Sequence, residues 1–275
     1  MSVSIRRFIG RTGNQLFQYA AARYVAMRNN LYLETEWPNP NFLKVIPWDN
    51  VGDTYKHPEV LLTDLTGAGA QKNMLNGIFH QCRVILDGYF QDVAYFNNNR
   101  DQMREWFEPC QMPRNTEDWV LHYRTTDYWH PQVDSVIDPE WYYRILKSNG
   151  YFDGKNGRNV TIVTDDTQDP CVIELHNKIH REKKIGGMSM VCAITATPRK
   201  AFDAIRSCDR VICGNSSFSW WAAFLGKPKA CFTFKPWMRF SPLNLASMVG
   251  ATPVDGQFAV NKEMQEKNIK GAWQK

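Results

Sequence analysis

Four short stretches of the chain combine residue types that could do chemistry. Between Val120 and Tyr128 lie His122, Arg124 and Asp127. On a strand, alternate side chains share a face, so His122 and Arg124 point the same way. A guanidinium there can hold a diphosphate through paired hydrogen bonds, and the plainer reading is an Arg–Asp pair closing a loop. The run Val163-Thr164-Asp165-Asp166 offers two adjacent carboxylates. A carboxylate suits the N–H donors of guanine or a ribose hydroxyl; equally, Asp-Asp-Thr is ordinary turn chemistry. Asn215, Ser216, Ser217 and Ser219 crowd the start of an aromatic-rich run that reaches Leu225. Hydroxyls and free N–H groups at a helix start make an anion site, although serine also caps helices routinely. Gly13, Asn14 and Gln15 stand where a strand turns into a helix, with Asn14 equally readable as a plain cap.

The elements that must position these residues alternate. Ser4 to Ile9 is predicted as a strand, Asn14 to Arg28 as a helix ended by Asn29-Asn30, and Leu31 to Leu33 as a strand, the opening of a doubly wound α/β domain. Trp37 to about Ala70 is rich in Pro, Asn, Asp and Gly and reads as loops. Val84 to Leu86 is a strand and Val93 to Phe107 mostly helix. Pro109 to Thr116 reads as a linker. A second alternation follows: strand Trp119–Tyr123, helix Pro139–Asn149 capped by Asp138, strand Val160–Val163, helix Cys171–His180, strand Met190–Cys192, helix Pro198–Ser207 capped by Thr197, strand Arg210–Cys213, helix Ser217–Leu225 and strand Ala230–Phe232. On the helix 217–225, Phe218, Trp221, Ala222 and Leu225 are expected to form one core-facing side. The expected fold class is α/β, of GT-B type, with two Rossmann-like domains facing across a cleft. The domains are placed at 1–113, taken as the acceptor side, and at 117–255, taken as the donor side. A polar tail over 256–275 either ends in a helix or stays loose. All four candidate stretches then fall at strand-to-helix turns, three of them on one edge of one sheet.

Bulk properties narrow the function classes. The chain has 275 residues, 43% hydrophobic and 22% charged, enough for two cores, and a net charge of +5. The charge is spread out, with its densest stretch from His180 to Lys184, too short for a nucleic-acid tract. Seven scattered cysteines, without a Cys-x-x-Cys, indicate neither a disulfide framework nor a zinc site. No apolar run reaches a membrane span, and the N-terminus lacks a signal-peptide core, so a cytoplasmic location is expected, with contact between the tail and a membrane surface left open. No Asp-x-Asp occurs, which argues against a manganese site.

The run Gly13-Asn-Gln-Leu-Phe-Gln-Tyr-Ala20 resembles the N-terminal signature of the α-1,2-fucosyltransferases. Gly88-Tyr-Phe-Gln91 with Tyr95-Phe96 is similar to the family's Gly-Tyr-Phe/Trp-Gln stretch. His122-Tyr-Arg124 with Asp127-Tyr128 resembles its His-x-Arg-Arg-Gly-Asp-Tyr motif, Val163–Asp166 its Ser-Asp-Asp motif, and Asp203 through Trp221 its most specific block. The matches run in family order over about residues 8–232. The resemblance implies a GT-B fold and inverting, metal-independent transfer of L-fucose from GDP-fucose to the 2-hydroxyl of a galactoside. No cofactor is implied; the partners are a GDP-sugar donor and a glycan acceptor. Arg124 would bind the β-phosphate, His122 and one of Asp165 or Asp166 would contact guanine, Ser216 and Ser217 would bind phosphate oxygens, and Asn14 and Gln15 would lie near the sugar. Asp127 is the candidate base, or else orients Arg124. One departure stands out: Thr125 and Thr126 occupy the places of the family's second arginine and its glycine. That departure motivates the alternatives, a GDP-binding pseudo-transferase or a transferase of a different GDP-hexose.

Overall fold

The computed structural model describes residues 1–48, 57–63, 77–79, 81–91, 99–153, 159–183, 191–239, 245 and 250–271. They form two compact units, Met1–Pro109 and Cys110–Lys275. Each is built on a parallel sheet, as the expected α/β class requires.

In the first unit, β1 (Ser2–Ile5), β2 (Tyr32–Leu33), β3 (Glu59–Thr63) and β4 (Arg83–Asp87) lie in the order β2-β1-β4-β3, all parallel. The first strand ends earlier than its apolar pattern suggests. Its pairing with β4 stops at Ile5–Leu86, Arg6 adds one last bond to the Leu86 carbonyl at 2.9 Å, and the chain then turns. Helix α1 (Thr12–Asn29) is capped at its C-terminus by Asn30 in the left-handed conformation, φ 52°. β3 is a strand in the region read as loops; Glu-Val-Leu-Leu-Thr is too short to announce itself beside so much Pro and Asn. Helix α2 spans Arg100–Glu105, and residues 92–98 of the longer helix read from the sequence lie outside the described residues, as do Tyr95 and Phe96.

In the second unit six parallel strands run in the order β10-β9-β8-β5-β6-β7. They are β5 (Asn115–Tyr123), β6 (Val160–Thr164), β7 (Val191–Ile194), β8 (Cys208–Ile212), β9 (Ala230–Lys235) and β10 (Thr252–Asp255). The helices are α3 (Pro139–Ser148), α4 (Pro170–Lys183), α5 (Pro198–Arg206), α6 (Ser217–Gly226) and α7 (Lys262–Gly271). The Asp138 carboxylate caps α3, accepting from the Glu140 N–H at 2.8 Å. Thr197 sits at the N-cap of α5 without a side-chain cap bond. The sheet order reverses between β5 and β8: from β5 the chain winds outward through β6 and β7, then returns to β5's other side. At such a switch point the loops leaving the two strands splay apart and open a crevice at their carboxyl ends.

The core behind that crevice is aromatic, with Trp119, Tyr123, Trp129, Trp141 and Tyr142 fully buried among Leu121, Ile162, Leu175 and Ile212. Two of its indoles find acceptors: Trp129 Nε1 donates to Asp169 Oδ2 at 2.7 Å, and Trp141 Nε1 to the Val254 carbonyl at 3.1 Å. Helix α6 is buried on nearly every side rather than on one. Trp220, Trp221, Ala222, Ala223 and Phe224 are all inside, with the Trp220 ring stacked 5.1 Å from that of Phe224, while Phe218 and Leu225 are only half-buried. A helix apolar all round belongs in a core, and its sequence alone does not say which neighbours surround it.

The stretch read as a linker is already anchored here. β5 begins at Asn115, and Arg114 pairs with Asp209 and donates to the carbonyls of Gly226 and Lys227 at the C-terminus of α6. Residues 257–271 likewise do not trail away. Asp138 N–H donates to the Gln257 carbonyl, Ala259 N–H to Val136, Phe258 bridges Ile137, and α7 follows. Among the described residues no helix is long and apolar enough to cross a membrane, and all seven cysteines are free.

Candidate donor site in the second unit

Arg124 is the first residue past β5, and its side chain is 15% exposed. Its Nε and Nη2 each lie 2.8 Å from Asp127 Oδ1, and Nε is 3.1 Å from Asp165 Oδ2. Burial disfavours the guanidinium charge, but Asp165 and Asp127 outweigh it and raise the Arg124 pKa further. The Tyr128 ring lies beside the group, its centroid 5.7 Å from Cζ. One edge of the fork is thus occupied, and Nη1 has no partner among the described residues. A single guanidinium facing two carboxylates leaves this cluster with one excess negative charge.

Asp165 is the first residue past β6, the strand paired with β5. Its Oδ1 accepts from the Thr125 N–H at 3.0 Å and the Thr125 hydroxyl at 3.2 Å, and its Oδ2 from the Thr126 hydroxyl at 2.6 Å. The carboxylate is therefore committed to the neighbouring loop. Asp166 does something different: its Oδ1 accepts from the Gln168 N–H at 2.8 Å and closes a turn.

His122 lies one strand position before Tyr123, buried at 5% exposure, with its ring 5.6 Å from that of Phe218. Burial lowers its pKa to about 4, against the opposing pull of Asp165 and of a hydrogen bond to the Cys213 backbone. The ring is neutral at pH 7. Its Nδ1 is buried with no hydrogen-bond partner, an acceptor in want of a donor.

The β8–α6 turn supplies the third side. Gly214 has φ +62°, and a Cβ there would meet Tyr142 Oη at 2.7 Å and the His122 carbonyl at 2.9 Å. Only glycine fits both the conformation and the space. The same Tyr142 hydroxyl donates to the His122 carbonyl at 2.9 Å, so β5, α3 and this turn are locked at one point. Ser216 is the N-cap of α6 and makes no side-chain cap bond; the first bond of the helix, Trp220 N–H to the Ser216 carbonyl, comes one turn later. The N–H groups before it face the helix start, where the dipole favours an anion.

The structure thus brings Arg124, Asp127, Asp165 and the Ser216–Ser217 turn to one sheet edge at the switch point. Two expected site residues are turned to the packing instead. Ser219 is fully buried, its hydroxyl donating to the Cys213 carbonyl at 2.5 Å. Asn215 is 2% exposed, its amide donating to the Ser135 carbonyl at 2.8 Å while its own carbonyl accepts from Tyr128 Oη. Both sit on the inner side of the turn that the serine-rich pattern marks. The motifs alone do not mark Tyr128, Gly214 or Phe218 as site residues; for Gly214 the signal is the Gly-Asn pair that closes a strand.

In the first unit the two N-terminal motifs meet. Gln91 Nε2 donates to Asn14 Oδ1 at 2.6 Å. Gln15 Oε1 accepts from Asn39 at 2.6 Å, and its amide donates to the Gly10 carbonyl. Gln18, fully buried, holds Ile9 by both backbone groups, at 3.0 and 2.7 Å. Gly13 is buried in the first turn of α1.

The model of the family described as glycosyl transferase family 11 matches residues 73–235, more than half of the chain. The chain belongs to glycosyl transferase family 11. The match and the motif resemblance agree, and the protein is a glycosyltransferase. No curated protein matches it. Among solved structures it is similar to an Arabidopsis thaliana FUT1 mutant in complex with GDP, at 8% identity over 84% of this chain and 70% of that one, with a TM-score of 0.49. It is also similar to a NodZ alpha-1,6-fucosyltransferase soaked with GDP-fucose, at 11% identity over 86% and 95% of the chains, with a TM-score of 0.47.

Proposed function

We propose that this family 11 glycosyltransferase moves L-fucose from GDP-fucose to the 2-hydroxyl of a galactoside, with inversion and without a metal. The observation that carries the donor reading is the Arg124 guanidinium, held on one edge by Asp127 and Asp165, beside the open N-terminus of α6 at the β5/β8 switch point. Nη1 and the outer edge of Nη2 are the groups proposed to take the β-phosphate, and Ser216 and Ser217 the groups proposed for its neighbouring oxygens. Because two carboxylates already face Arg124, the α6 amides must carry a large share of the charge that develops on the departing diphosphate. Neutral His122, with its vacant Nδ1 acceptor, suits an N–H or O–H donor of the nucleoside.

Of the two aspartates, Asp166 is the better candidate for guanine, since both oxygens of Asp165 are engaged within the protein. Asp127 holds Arg124 in ion-pair geometry, which favours the orienting role over that of base. Asn14 and Gln15 are proposed as sugar contacts of the first unit.

Calorimetric titration with GDP, GDP-fucose, UDP and ADP in chelator, followed by a donor-hydrolysis assay, tests the reading. Selective binding of the guanine nucleotides with release of fucose is expected. Equal binding of UDP or ADP would overturn the donor assignment, and loss of binding in chelator the metal independence. An acceptor screen with galactosides, read by linkage analysis, then decides the 2-hydroxyl and the inversion.

A further inference from the structure

Asp127 alone would tie Arg124 only to the loop that carries it, because the two are three residues apart. Asp165 ties it to something stiffer, the end of the neighbouring strand β6. That tie works only if the Asp165 carboxylate is itself immobile. Three hydrogen bonds converge on it, from the Thr125 N–H and hydroxyl to Oδ1 and from the Thr126 hydroxyl to Oδ2, while Arg124 Nε, whose one N–H goes to Asp127, lies 3.1 Å from Oδ2 as an ion pair. The shortest of these is from Thr126, at 2.6 Å. Thr125 is fully buried, so its side chain can reach nothing but this carboxylate and its packing.

We propose that Thr126, acting through Asp165, is a positioning residue for donor-phosphate recognition: it locks the carboxylate that steadies Arg124 Nε, and so holds the guanidinium's free edge toward the diphosphate. The inference rests on the donor reading above. It also gives the Thr125-Thr126 pair a role in a site with one guanidinium: a rigid Arg124 loses less freedom on binding than a mobile one.

Thr126→Val keeps the shape and removes the hydroxyl, and Thr126→Ser keeps the hydroxyl. Both are compared with the unaltered protein by calorimetry with GDP and with GMP, which lacks the β-phosphate. The expected result is an affinity for GDP lower by about five- to ten-fold in Thr126→Val, the scale of one ordinary net hydrogen bond. GMP affinity should stay unchanged, the melting temperature should fall by no more than a few degrees, and Thr126→Ser should restore GDP binding. Equal losses for GDP and GMP, no loss for either, or failure of serine to restore binding would overturn the proposal. If Thr126→Val does not fold, Asp165→Asn takes its place with the same GDP-specific loss expected.

A second readout needs no nucleotide. The Arg124 Nε–H is donated to Asp127 by a guanidinium that Asp165 steadies; assigned in nitrogen-15 spectra by its disappearance in Arg124→Ala, it should exchange slowly with solvent while the lock holds. It should exchange at least about ten-fold faster in Thr126→Val. Should the protein bind no guanine nucleotide at all, the donor reading fails, and unchanged exchange in Thr126→Val would separately refute the lock.

Discussion

His122 links the site to the stability of the second unit. Burial lowers its pKa from 6.5 to about 4, although the Asp165 charge and the Cys213 backbone pull the other way. The folded protein therefore binds fewer protons here than the unfolded chain between those two values. Its contribution is fully present above about pH 6.5 and is lost as the pH falls toward 4. At about pH 5 the unfolded imidazole is almost wholly protonated and the folded one almost wholly neutral, which costs about 2 kcal/mol relative to about pH 7.5. His122→Gln removes the titration and leaves a donor within reach of the Cys213 carbonyl. Guanidinium chloride unfolding of both proteins at the two pH values isolates the term, because every other titrating group is common to them. The native protein should lose about 2 kcal/mol more than His122→Gln on acidification. A difference between the two that does not change with pH would refute the neutral, buried imidazole, and with it the vacant Nδ1 acceptor.

Three further outcomes are expected. Gly214→Ala must adopt φ near +62° and push against the His122 carbonyl, so it should destabilise the unit by about 2–4 kcal/mol, read as a lower denaturant midpoint, and weaken GDP binding. Ser219→Ala leaves the Cys213 carbonyl short of its hydroxyl partner and should cost about 1–3 kcal/mol of stability while GDP affinity stays within about two-fold; a large selective loss of GDP would return Ser219 to the donor site. Gln18→Leu strands both backbone groups of Ile9 and should cost about 1–3 kcal/mol, with accelerated amide exchange at Ile9 as its local signature.

Some of this protein was legible in its residues alone. Alternating strand and helix patterns, helix stops such as Asn30 and caps such as Asp138 are local signals, because they depend on backbone preferences within a few residues. They placed both parallel sheets, and they set Arg124, Asp165 and Ser216 at the carboxyl ends of β5, β6 and β8. What the pattern could not carry was which partner each polar group would find. Asp165 and Asp166 are neighbours with the same side chain, yet one anchors Arg124 and the other closes a turn, and the difference lies in the Thr125-Thr126 loop about 40 residues away. Ser216 and Ser219 share one motif, but the turn of α6 leaves the first at the helix mouth and sends the second to the Cys213 carbonyl. β3 and β10 leave no clear mark in the sequence for a related reason: short edge strands are made by the neighbour they pair with, β4 and β9, more than by their own four or five residues. Local chemistry fixed where the site residues would stand along the chain; only the packing of the strands and loops around them decided which hydrogen bonds each would make, and so which remain available to a ligand.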